Sequence, residues 1–116
     1  MQTCPANHYC RVCQFELEVE MTTGEDREYK YFVRSHQETG EVEICSGNGR
    51  RSRREDEEAL QVCKNLMEQL GSSRRMNADE IIARVCGALE RRREQIKKLS
   101  VKIEYDDGTE VGVKVK

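Results

Sequence analysis

The sequence predicts a two-layer α+β domain: an antiparallel sheet of about five strands, in chain order βββααββ, with two helices packed on one face. Three observations predict it. Residues 13–21 alternate apolar and polar without a break, two stretches beyond residue 54 repeat their apolar residues at helical spacing, and an Asp-Gly turn separates two alternating runs near the end of the chain. The 116 residues suit one domain spanning 1–116.

Residues 1–12 hold the only proline, Pro5, and read as an irregular N-terminal arm. Residues 13–45 read as a three-stranded meander. In its first strand Cys13, Phe15, Leu17, Val19 and Met21 share one face, and Gln14, Glu16, Glu18 and Glu20 share the other. After a turn at 22–26, a strand from about Glu28 to Ser35 puts Tyr29, Tyr31 and Val33 inward and Phe32 outward. A turn over Gln37–Gly40 leads to a third strand, Glu41–Cys45, whose Val42 and Ile44 face the core. Parity then points Cys45 outward, and with Phe32 it implies that something, the arm being the obvious candidate, covers part of the outer face.

Residues 46–54, with two glycines and four arginines, read as a solvated Arg-rich loop. Residues 55–98 read as two helices. The first, about Glu55–Leu70, carries Ala59, Leu60, Val62, Cys63, Leu66, Met67 and Leu70, with acidic residues where the helix dipole favours them. The second opens on Asn77 with Glu80 three residues on, a capping-box pattern, and runs to about Lys98 with the stripe Ile81, Ile82, Val85, Cys86, Leu89 and Ile96. Residues 99–116 form the C-terminal hairpin, Val101, Ile103 and Tyr105 against Val111, Val113 and Val115. Its lysines, Lys102, Lys114 and Lys116, complement the acidic row of the first strand. That places the hairpin beside the first strand, in the order 3-2-1 followed by the last two.

Composition excludes several classes. Hydrophobic and charged residues are each 36% of the chain, there is no Trp, and net charge is −2, so neither a strong global field nor a large aromatic pocket is available. No apolar run reaches the ~20 residues of a membrane-spanning helix. The first ten residues lack the basic start and apolar stretch of a secretory signal.

Six cysteines, Cys4, Cys10, Cys13, Cys45, Cys63 and Cys86, read as a disulfide framework, which implies an extracellular or other oxidising compartment. Cys63 and Cys86 lie level on the two helical stripes and form the favoured pair, while Cys45 bonded to Cys4 or Cys10 would tie the arm to the sheet. The competing reading is zinc held by Cys4, His8, Cys10 and Cys13, where Cys10-x-x-Cys13 has a zinc-knuckle spacing but lacks a second copy. A thioredoxin-like site is disfavoured because the motif leads into a strand instead of opening a helix.

Arg50, Arg51, Arg53 and Arg54 form a basic string that could meet an acidic partner, serve as a dibasic processing site, or pair with nearby Asp56, Glu57 and Glu58. Nucleic-acid binding is disfavoured by the net negative charge and the lack of interleaved aromatics. No serine elbow, P-loop or H-E-x-x-H string is present, His8 and His36 fall in an arm and a turn, and Glu16, Glu18 and Glu20 read as a solvated strand face. No catalytic residue and no resident cofactor are therefore expected. The expected function is a non-enzymatic, small, disulfide-stabilised binding or scaffold protein with a protein partner, of natural or engineered origin. The alternative is a zinc-binding regulatory module whose arginine loop contacts an acidic partner or nucleic acid.

Overall fold

The structure, a computed structural model, describes residues 12–70 and 76–115. The elements are β1 (Val12–Met21), β2 (Asp26–Arg34), β3 (Gln37–Cys45), β4 (Arg51–Arg54), α1 (Glu57–Leu70), α2 (Ala78–Leu89), β5 (Ile96–Tyr105) and β6 (Glu110–Val115). A 3₁₀ turn at Arg93–Gln95 joins α2 to β5. The α+β expectation holds with one strand added. The six strands form one antiparallel sheet in the order β4-β3-β2-β1-β5-β6, so the C-terminal hairpin lies beside β1 as its lysines required.

One side of the sheet is the core. Phe15, Leu17, Val19 and Met21 of β1, Tyr29 and Tyr31 of β2 and Leu99, Val101, Ile103 and Tyr105 of β5 are buried there with Ala59, Cys63, Leu66 and Leu70 of α1 and Ile81, Val85 and Leu89 of α2. Cys13 departs from the predicted face. Val12 pairs with Tyr105 and Gln14 with Glu104, which leaves Cys13 as the extra residue of a bulge at the mouth of β1. Val62, expected in the α1 stripe, is instead 41% exposed.

The turn between β2 and β3 is tighter than predicted. Ser35 and His36 both take left-handed backbone, at φ 49° and 66°, the conformation of a two-residue type I′ turn, so β3 begins at Gln37. Gly40 therefore lies inside a strand and not in a turn. Its backbone is where α1 comes closest: a Cβ there would stand 2.5 Å from the Leu60 Cα.

The arginine segment is not a loop throughout. Ser46 donates its N–H to the Arg50 carbonyl at 2.7 Å, Gly49 turns at φ +88°, and Asn48 Oδ1 accepts from the Arg50 N–H at 3.1 Å. The chain then returns as β4, pairing Cys45 with Arg51 and Glu43 with Arg53. The Asn-Gly pair between Cys45 and Arg51 is the hairpin signal behind this strand.

α1 is capped by Asp56, whose Oδ1 accepts the Ala59 N–H at 3.0 Å. That bond, with the Arg54 guanidinium next in weight, holds the Asp56 carboxyl below its ordinary range. α2 has the predicted capping box: Asn77 Oδ1 accepts from the Glu80 N–H at 2.9 Å, and Glu80 Oε1 accepts from the Asn77 N–H at 3.2 Å. It ends at Leu89, nine residues before the predicted stop. Glu90 takes left-handed backbone at φ 56°, and the Arg91 N–H closes on the Cys86 carbonyl at 3.0 Å. Ile96 belongs to β5. A bulge shifts the β1–β5 register between Glu20–Lys98 and Met21–Ile96, so Ile96 and Leu99 both face the core despite a helix-like spacing of three.

Candidate functional site

The four described cysteines do not form the predicted framework. Cys13, Cys45, Cys63 and Cys86 are free thiols, so neither Cys63–Cys86 nor a bond from Cys45 to Cys4 or Cys10 is present. Spacing sets the height of Cys63 and Cys86 along their helices but not the rotation of either side chain about its helix axis. Cys63 is wholly buried against the sheet, where its thiol donates to the Lys30 carbonyl at 3.3 Å and reaches the Glu41 carbonyl at 3.6 Å. Burial pushes it up to about 11, so it is no nucleophile at neutral pH. Cys86, next to inward-facing Val85, is half-buried, and burial raises it as well.

Cys4, His8 and Cys10 of the alternative zinc set lie outside the described residues, as do the arm that was to cover the outer face and Lys116. Among the described residues no group of three or more His, Cys, Asp or Glu is arranged to hold a metal ion. No described helix is long and apolar enough to cross a membrane.

Of the basic string, Arg51 contacts Glu43 at 2.8 Å, Arg53 contacts Glu41 at 2.7 Å, and Arg54 contacts Glu58 at 2.7 Å and Asp56 at 3.1 Å. The guanidinium groups that β4 presents are thus matched by carboxylates of β3 and the start of α1. Arg50 sits in the turn before the strand and is exposed.

The site that register assembles lies on the open side of the sheet, opposite the helices. A groove of about 660 Å³ runs across β3, β2, β1, β5 and β6, with Glu18, Glu20, Asp26, Glu28, Glu43, Cys45, Arg51, Lys98, Ser100 and Lys114 among its lining. Alternation along each strand brings these side chains to one face. Three ladders then decide which of them meet. Glu16 lies opposite Lys30 on one side and Lys102 on the other, and Lys30 lies opposite Glu41, so that row alternates in sign. Glu20 lies opposite Lys98, which it approaches at 3.9 Å, and opposite Asp26.

The row between them is different. Glu43, Glu28 and Glu18 stand directly opposite one another on three adjacent strands. Like charges at such positions repel. Glu43 has Arg51, and Glu28 has Lys30 at 3.2 Å, but Glu18 has no cation within 4 Å among the described residues. Desolvation on the groove floor, then the facing Glu28 carboxylate, push Glu18 above its ordinary value. Five carboxylates line the groove against Arg51, Lys98 and Lys114, since Arg27, the remaining cation of the lining, is tied to Glu25 and the Tyr29 hydroxyl.

Alternation alone marks Glu18 and Glu20 as a solvated face and gives no sign of Glu28 and Glu43 beside them. The signal lies in strand register: the turn over residues 22–25 sets Glu18 opposite Glu28, and the tight Ser35–His36 turn sets Glu28 opposite Glu43.

The sequence model of a family described as YusW-like protein matches residues 13–107 of the chain. No curated protein and no solved structure matched it. This match and the four free thiols overturn the expectation of a small disulfide-stabilised binding or scaffold protein.

Proposed function

The chain belongs to the YusW-like protein family, and for it we propose recognition of a protein segment bearing a lysine or arginine, laid across the open face of the sheet with the cation over Glu18 and Glu28. The observation that carries this reading is the row of three facing carboxylates in the groove, in which Glu18 has no cation within 4 Å among the described residues. A cation seated there relieves the Glu18–Glu28 repulsion that the fold otherwise bears, so its affinity includes the energy of that relief. Lys98 and Lys114 at one end and Arg51 at the other leave room for acidic groups flanking the cation. The same row disfavours a nucleic-acid ligand, whose phosphates it would repel. The reading assigns recognition only, with no bond-making step.

The test is a titration followed by amide chemical shifts, using equal-length peptides that carry lysine or arginine, glutamine, or glutamate at the centre. The basic peptides should shift the amides of Glu18, Glu28 and Ser100, weaken as salt is raised, and lose about tenfold in affinity with Glu18→Gln or Glu28→Gln. Equal binding of the glutamate peptide, or shifts confined to the helix side, would overturn the reading.

A further inference from the structure

We propose that the β6 edge of the sheet is a self-pairing surface, on which a second copy of this chain docks antiparallel about Gly112 and joins the two sheets into one.

The hairpin sets which backbone groups are available. Tyr105 donates its N–H to the Thr109 carbonyl at 2.9 Å, which makes that pair a hydrogen-bonded one. Alternation then makes Ile103–Val111, Val101–Val113 and Leu99–Val115 the pairs that exchange bonds between β5 and β6. The N–H and C=O of Glu110, Gly112 and Lys114 are left pointing away from β5, at the edge.

Those three residues are complementary to themselves. With a twofold axis at Gly112, Glu110 lies opposite Lys114 of the second copy, Gly112 opposite Gly112, and Lys114 opposite Glu110, each pair exchanging both backbone bonds. Neither Glu110 nor Lys114 has an ion pair among the described residues. A slip of two residues in either direction leaves Lys114 opposite a glycine, and a slip of four sets Lys114 against Lys114 or Glu110 against Glu110. Only the register centred on Gly112 pairs Glu110 with Lys114 on both sides of the axis.

Two further features agree. Glu104 and Glu110 face each other across the β5–β6 ladder, a like-charge pair that Lys114 of the second copy would relieve. Gly112 itself has no explanation in the monomer: a Cβ there would meet only the Val101 carbonyl, at an ordinary 3.9 Å, and its φ is not in the left-handed range. Glycine inside a strand often accompanies a bulge, a bend or the close approach of a ligand or another backbone, and a second copy centred on Gly112 supplies the last of these. On the helix side Val111 and Val113 are half-exposed, and the same register sets Val111 against Val113 of the second copy.

Sedimentation equilibrium over micromolar to millimolar concentrations tests this. The wild-type mass should rise from 13.5 kDa toward twice that value. Glu110→Lys and Lys114→Glu should each weaken association by about tenfold or more, and the double swap Glu110→Lys/Lys114→Glu should restore it. Circular dichroism establishes that each variant is folded. A wild-type monomer at every concentration, single variants that associate as wild type does, or a folded double swap that stays monomeric would each overturn the proposal.

Discussion

On the helix side of β1, Phe15, Leu17, Val19 and Met21 are at most 3% exposed, while on the other side of the same strand Glu16, Glu18 and Glu20 meet water. The helix side is governed by fit. Its residues are fixed by α1 and α2, and Gly40 is small because a helix backbone lies on it. The open side is governed by register, because a charged side chain there gains or loses according to which residue stands one strand away. The comparison shows two kinds of information in one strand. Alternation decides the face, and pairing decides what the face does.

The comparison breaks most visibly at Gly40. Replacement by alanine forces the new methyl into the Leu60 Cα and the Ala59 carbonyl, backbone atoms that move only if α1 moves. Gly40→Ala is expected to cost about 3 kcal/mol in urea denaturation, the upper range of overpacking. A neutral result would show that α1 rides on the sheet without close contact, and the helix side would lose its claim to be governed by fit.

Cys63 and Cys45 sharpen the same contrast through chemistry. Cys63 is sealed under α1 and pushed up to about 11, whereas Cys45 lies beside Arg51 in the groove. In the native protein at pH 8, alkylation of Cys63 is expected to be at least about 100-fold slower than that of Cys45, read residue by residue by mass spectrometry. The sign of the pH effect follows. The folded value lies above the unfolded one, so the stabilisation from burying a neutral thiol is complete below the unfolded value and is lost as pH rises through about 11. Cys63 labelled as fast as Cys45 would place the thiol outside the core.

The legible and illegible parts of the fold divide along the same line. The apolar face of β1 from Phe15 to Met21, the Asn77–Glu80 capping box and the Asp-Gly hairpin are local patterns, and the structure places each where its pattern put it. Local patterns failed where a bulge or a left-handed residue changed the count. Ile96, seven residues after Leu89, continues the helical stripe in sequence, yet left-handed Glu90 ends the helix and Ile96 opens β5. Ser35 and His36 turn the chain without glycine, which hid the true start of β3. Cys63 and Cys86 show a further limit: level positions on two helices say nothing of rotation about each axis. The groove was the least legible part, since Glu18, Glu28 and Glu43 are ten and fifteen residues apart and meet only through the pairing of three strands.

The smallest expected effect is also the most specific test of the open side. Glu16 and Glu18 are neighbours on one face of one strand, yet their surroundings have opposite sign. Glu16 lies between Lys30 and Lys102, and Glu18 faces Glu28 with only Ser100 on its other side. Replacing each by glutamine should therefore move stability in opposite directions, each by about 0.5 kcal/mol after screening by solvent. Glu16→Gln loses a favourable cross-strand pair and destabilises. Glu18→Gln removes a repulsion and stabilises. The gain from Glu18→Gln must also depend on pH in a fixed sense. Because the folded value of Glu18 is raised, its contribution in the wild-type protein is favourable below the unfolded carboxylate value of 4.5 and is lost as pH rises through the folded one. The difference between Glu18→Gln and wild type should thus open as pH climbs from 4 to 7 and close again in acid. Two shifts of the same sign would mean that net charge, and not strand register, sets the energetics of this face, and the carboxylate row would lose its special standing.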